Sequence, residues 1–109
     1  MPRVLVKRLD IIIRTDKRDA AIRAIRKVGV GGLTVSEVQG QGAEEKPLVG
    51  EFHARVLITT VAEEEKLAPL LKAVGEAVST GCQGDGKVFV SNVEEVMDLR
   101  SKECGHTVL

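Results

Sequence analysis

Two glycine-rich segments carry the residue types best suited to chemistry. Thr80-Gly81-Cys82-Gln83-Gly84-Asp85-Gly86-Lys87 puts glycines and a lysine directly before the apolar stretch Val88-Phe89-Val90. Glycines let successive backbone N–H groups converge on an anion, and a neighbouring lysine adds a charge suited to phosphate. Asp85 between two glycines suits a tight turn with a positive φ. The same residues also suit a plain turn with a solvated lysine. Gly40-Gln41-Gly42 opens the other segment, which runs to Gly50 without hydropathic period and by itself reads as a flexible turn.

Other chemistries find less support. No nucleophile stands beside a base at motif spacing, and His53 and His106 have no orienting partner near them in sequence. An acylphosphatase would want an arginine in a glycine-rich loop after the first strand, and Arg14-Thr15-Asp16-Lys17 is not one. A metallochaperone of the same topology would want Cys-x-x-Cys in that loop. Cys82 and Cys104 are too far apart for a metal knuckle or a disulfide framework, and no metal ligands are predicted. The charges balance, with 16 basic and 16 acidic residues, which argues against a nucleic-acid partner. Aromatics are 2%, leaving no platform for stacked bases.

The elements that must position these segments follow from periodicity. The 109 residues suit one domain, with residues 40–51 as a loop and 101–109 as a tail. No apolar run approaches the roughly 20 residues that span a bilayer, and the N-terminus does not read as a secretory signal, so a cytoplasmic location is expected. Val4 to Ile13 alternates as a strand with Leu9, Ile11 and Ile13 on one face. Asp16 offers an N-cap to an amphipathic helix that buries Ala21, Ile22, Ala24, Ile25 and Val28 and ends at Gly29. Leu33 to Gln39 and Phe52 to Val61 alternate as strands. Glu63-Glu64-Glu65 opens a second helix, with Leu67, Leu70, Leu71, Val74, Ala77 and Val78 on its apolar side. Lys87 to Ser91 is a fourth strand, and Met97 to Arg100 reads as a final extended piece. The order predicts an α+β, ferredoxin-like βαββαβ sandwich with both helices on one sheet face. The other face then needs a partner, which symmetric self-association supplies.

Gly84-Asp85-Gly86-Lys87-Val88-Phe89-Val90 with Thr80, together with Val28 to Gly42, resembles the sequence signatures of the PII signal-transduction superfamily. The likeness runs from about Leu9 to Arg100. It implies a homotrimer that binds adenine nucleotides in clefts between subunits and signals to a target protein. By position, Gly84, Asp85, Gly86 and Lys87 would hold phosphates, and Arg100 matches one of two C-terminal arginines that do the same. Thr34 and Thr59 would line the adenine pocket. Gly40, Gln41 and Gly42 would pass the nucleotide at the base of the T-loop.

The departures point to one branch. The T-loop is short, and with no tyrosine in the chain it cannot be uridylylated on tyrosine. The glutamine that helps hold magnesium and 2-oxoglutarate is replaced near Ala43-Glu44, and the 2-oxoglutarate lysine falls near His53 or Ala54. The second C-terminal arginine is Asp98, which would repel a γ-phosphate. These features resemble PII-like proteins that sense bicarbonate together with ADP or AMP and serve bicarbonate transporters or carboxysomes, with His53 and Arg55 placed for a small anion. A nitrogen-regulatory ATP/ADP sensor is the alternative within the superfamily. Cys82 and Cys104 read as unpaired thiols.

Overall fold

The structure is a computed structural model describing residues 3–41 and 52–109. Strand β1 (Val6–Ile13) buries Leu9, Ile11 and Ile13 and turns the residues between them to the opposite sheet face. The chain then makes a 3-10 turn, Thr15–Lys17, before helix α1 (Arg18–Val28). The expected Asp16 cap is not made: Lys17 holds the N-cap position, and no side chain caps the helix. Asp16 sits inside the extra turn, too early to reach the first helical N–H groups. Gly29 ends α1 at φ 92°, and the Lys66 ammonium donates to its carbonyl, satisfying an acceptor at the helix end.

Strand β2 (Leu33–Gly40) runs antiparallel to β3 (His53–Glu63), with Thr34 opposite Thr59. The alternation of β3 outlasts Val61: Val56, Ile58, Thr60 and Ala62 are all buried. Glu63 therefore belongs to the strand, and a 3-10 turn, Glu64–Lys66, leads into α2 (Leu67–Val78). Leu70, Val74 and Val78 recur every four residues on one helix face and fill the core with Ile25 and Ala21 of α1. Buried Thr60 is satisfied by donating its hydroxyl to the Gly32 carbonyl at 2.8 Å.

Strand β4 (Gly86–Val93) completes one antiparallel sheet in the order β2-β3-β1-β4, with the helices on one face. The predicted ferredoxin-like α+β fold is what forms. One expectation fails at the end of the chain. Met97 to Arg100 is not a strand; only Met97 bridges to Cys104, and a turn closes between them. Asp98 makes that turn: its carboxylate accepts from the Ser101 hydroxyl at 2.9 Å and its carbonyl from Lys102 N–H at 2.7 Å. Lys102 takes a left-handed φ of 63° there.

Candidate functional site

The loop between α2 and β4 is built around Asp85. Its carboxylate accepts from the Thr80 hydroxyl, from Thr80 N–H at 2.8 Å and from Gly81 N–H at 2.9 Å. The Thr80 hydroxyl in turn accepts from Cys82 N–H at 3.3 Å. These bonds hold the Asp85 carboxyl below its ordinary range, the Thr80 hydroxyl contributing most and Arg14 adding a smaller attraction. Asp85 is thus a staple within the loop. The N–H groups of Thr80, Gly81 and Cys82 are already taken, so any bound anion must use the second half, Gln83 to Lys87.

Arg14 reaches this loop from β1. Its Nη2 donates to the Gln83 carbonyl at 2.6 Å, and its Nε lies 3.7 Å from Asp85 Oδ1. Strand register explains the meeting. Ile13 pairs with Val56 on one side and Gly86 on the other, so the next residue falls between Arg55 and Asp85. Sequence reasoning passed over Arg14 because nothing local marks it. The usable signal was its place directly after a strand that two other strands flank.

Gly84 adopts φ 86°, and a Cβ added there would meet Arg14 Nη2 at 3.3 Å and Arg55 Nη2 at 3.4 Å. Gly86 is constrained differently. At φ 115° it backs onto β1, and any Cβ would collide with the Ile12 carbonyl oxygen. Its glycine is required by strand pairing whether or not the loop holds a ligand.

The remaining predicted positions divide between the two ends of the sheet. Lys87 pairs with Ile12, and two residues along, Thr34, Thr59, Asp10 and Phe89 form a row across all four strands on the face the helices leave uncovered. Thr59 donates to Asp10 Oδ1 at 2.8 Å, and Phe89 is 54% exposed. Gly40 pairs with His53 at the Gly86 end of the sheet, and exposed Gln41 follows it. Gly42 lies outside the described residues. Exposed Arg100 belongs to the Asp98 turn, beyond the far end of β4. Six strand steps separate Lys87 from Val93, or roughly 20 Å. Within one chain the structure brings Gly84, Asp85, Gly86, Lys87 and Arg55 together, but it does not bring Arg100 to them.

The site is thus a ferredoxin-like sheet with a glycine loop stapled by Asp85 and with Arg14 and Arg55 at its edge. Among the described residues no cluster of His, Cys, Asp or Glu is placed to hold a metal ion, and no helix is long and apolar enough to cross a membrane. The chain belongs to the PII family: the profile described as "Nitrogen regulatory protein P-II" matches residues 6–103. Relatives of that name from Rhizobium meliloti and Azospirillum brasilense are 35% and 34% identical, each alignment covering 92% of this chain and 96% of the relative. The B. subtilis GlnK–ATP complex superposes with a TM-score of 0.83 at 25% identity, over 96% of this chain and 98% of that one. Arabidopsis thaliana PII bound to citrate gives 0.80 at 29% identity, over 94% and 91%. The family is one of signal transducers, which makes this chain a regulator and not an enzyme.

Proposed function

We propose that this protein is a PII-type sensor of adenine nucleotides. It assembles as a homotrimer, binds ADP or AMP more tightly than ATP, responds to bicarbonate as a second ligand, and signals through residues 40–51 to a target such as a transporter or a carboxysome-related protein. The observation that carries the nucleotide reading is the loop Thr80–Lys87, stapled by Asp85 so that Gly84, Gly86 and Lys87 remain for phosphate. A solved relative, GlnK of B. subtilis, is described as an ATP complex.

Self-association follows from where the cations lie. Lys87 and Arg100 stand at opposite ends of β4, so one phosphate chain can meet both only if a second copy supplies one of them. The uncovered sheet face, with exposed Phe89, is the surface such copies would share. Asp98, two residues before Arg100, sets a carboxylate where a γ-phosphate would arrive. In a partly screened cleft this costs about 1–3 kcal/mol, or roughly five- to two-hundredfold in affinity.

Calorimetry with AMP, ADP, ATP and 2-oxoglutarate, with and without bicarbonate, tests the proposal. ADP or AMP binding most tightly, with a bicarbonate effect, supports it. The names of the relatives favour a second reading, a nitrogen-regulatory ATP/ADP sensor. ATP binding most tightly, strengthened by 2-oxoglutarate, would establish that one instead.

A further inference from the structure

We propose that Met97, Cys104 and His106 form a soft-metal site for a copper(I) ion at the base of the C-terminal hairpin. Backbone pairing brings the two sulfur residues together. Asp98 N–H donates to the Glu103 carbonyl and Gly105 N–H to the Val96 carbonyl, each at 2.9 Å. These bonds flank the Met97–Cys104 bridge without joining the two residues directly. That is the non-hydrogen-bonded kind of antiparallel pair, whose Cα atoms stand about 4.5 Å apart with both side chains on one face. Two sulfurs on one metal ion stand at most about 4.6 Å apart, twice a metal–thiolate bond of about 2.3 Å. The pairing already sets the two side chains at the spacing a shared ion needs.

His106 supplies the third donor. It opens the 3-10 turn His106–Val108, and with Cys104 it lines one open cleft between the start of β1 and the end of β4. The charged residues of that cleft are Glu94, Glu95 and Arg3, an acidic balance that favours a cation. Core packing does not account for the sulfurs, since Met97 is 51% exposed and the Cys104 thiol is free and exposed. The donor set selects the metal. Thiolate and thioether sulfur favour copper(I), whereas a structural zinc wants four ligands of the Cys, His and carboxylate kinds. Among the described residues no such cluster forms. On binding, the Cys104 S–H bond breaks as the sulfur–copper bond forms, and the proton goes to solvent while copper keeps its oxidation state. The site stands apart from the glycine loop and does not depend on the nucleotide reading.

Anaerobic titration of the reduced full chain with copper(I), in competition with a chromophoric copper(I) chelator, tests the site. The variants are Met97→Leu, Cys104→Ser, His106→Asn and, as a control, Cys82→Ser, each first checked by thermal melting. Wild type should bind one ion per chain. Each of the three ligand variants should lose at least about tenfold in affinity, since even an outer-shell partner is typically worth that much, and Cys82→Ser should match wild type. Met97→Leu nearly conserves volume, so its loss reports on the sulfur and not on folding. A second readout needs no variant. With isotope-labelled methionine methyls, silver(I), a diamagnetic stand-in for copper(I), should shift the Met97 signal and leave that of Met1, the other methionine in the chain. Failure of wild type to compete with the chelator overturns the site. Met97→Leu or His106→Asn binding as tightly as wild type also overturns it, because a thiol adduct alone would remain. An equal loss in Cys82→Ser overturns it as well, because copper would then bridge the two cysteines.

Discussion

Gly86 backs onto the carbonyl oxygen of Ile12 so closely that no side chain fits between β4 and β1. The pair lies where the glycine loop becomes a strand, which joins the stability of the sheet to the geometry of the loop. Gly86→Ala should cost more than about 3 kcal/mol, because a steric collision with backbone adds to the positive-φ strain. Gly84→Ala, which meets only the ends of two flexible arginines, should cost about 1–2 kcal/mol. Denaturant unfolding of both variants checks this, and equal destabilisation would contradict it. Loss of ligand binding in a Gly86 variant therefore reports on folding, and Gly84 is the better probe of the site.

Asp85 makes the loop sensitive to acid. Its folded-state carboxyl titrates below the ordinary range, chiefly through the Thr80 hydroxyl and N–H. The stabilisation it contributes is fully present above the ordinary carboxylate value of about 3.9 and is lost as pH falls through the lower folded value. The protection of the Thr80 and Gly81 amides, relative to the intrinsic exchange rate at each pH, should fall below about pH 4, and Asp85→Asn should remove that change in protection. A Cγ chemical-shift titration of Asp85 with a midpoint at or above the ordinary value would refute the staple.

The separation of Lys87 from Arg100 predicts complementation between subunits. Lys87→Ala and Arg100→Ala should each weaken ADP binding when pure. Mixed, unfolded and refolded together at equal amounts, they should recover about a quarter of the sites, since that fraction of random cyclic interfaces pairs an intact Lys87 with an intact Arg100. Recovery of none, with trimers confirmed by light scattering, would mean that the two residues do not share a site.

Asp98 makes the turn at Ser101, and the proposed function also gives it a charge near an incoming phosphate. Asp98→Asn retains an acceptor for the Ser101 hydroxyl and removes the charge. It should narrow the preference for ADP over ATP from roughly five- to two-hundredfold towards equality, by raising ATP affinity. Asp98→Arg would disturb the turn as well and is the less informative change. Competition binding with the two nucleotides measures the ratio, and an unchanged ratio in Asp98→Asn would remove the charge from the explanation.

What the sequence determined by itself was everything written in local periodicity. The alternation of Leu9, Ile11 and Ile13, the four-residue recurrence of Leu70, Val74 and Val78, and Gly29 at the helix end are each consequences of bonds within a few residues. The glycine loop and the PII resemblance were legible for the same reason, being contiguous. The tertiary structure decided which distant residues meet. Arg14 looked unremarkable until strand register set it between Arg55 and Asp85. Asp98 appeared to lie in an extended piece until the Met97–Cys104 bridge closed a turn on it. Asp85, read as a phosphate-loop residue, accepts from Thr80 and Gly81 within the loop, contacts that only the folded chain displays. Register is settled by burying the core face of the whole sheet at once, because a slip of one residue would turn that face to solvent. No short window of sequence contains that constraint.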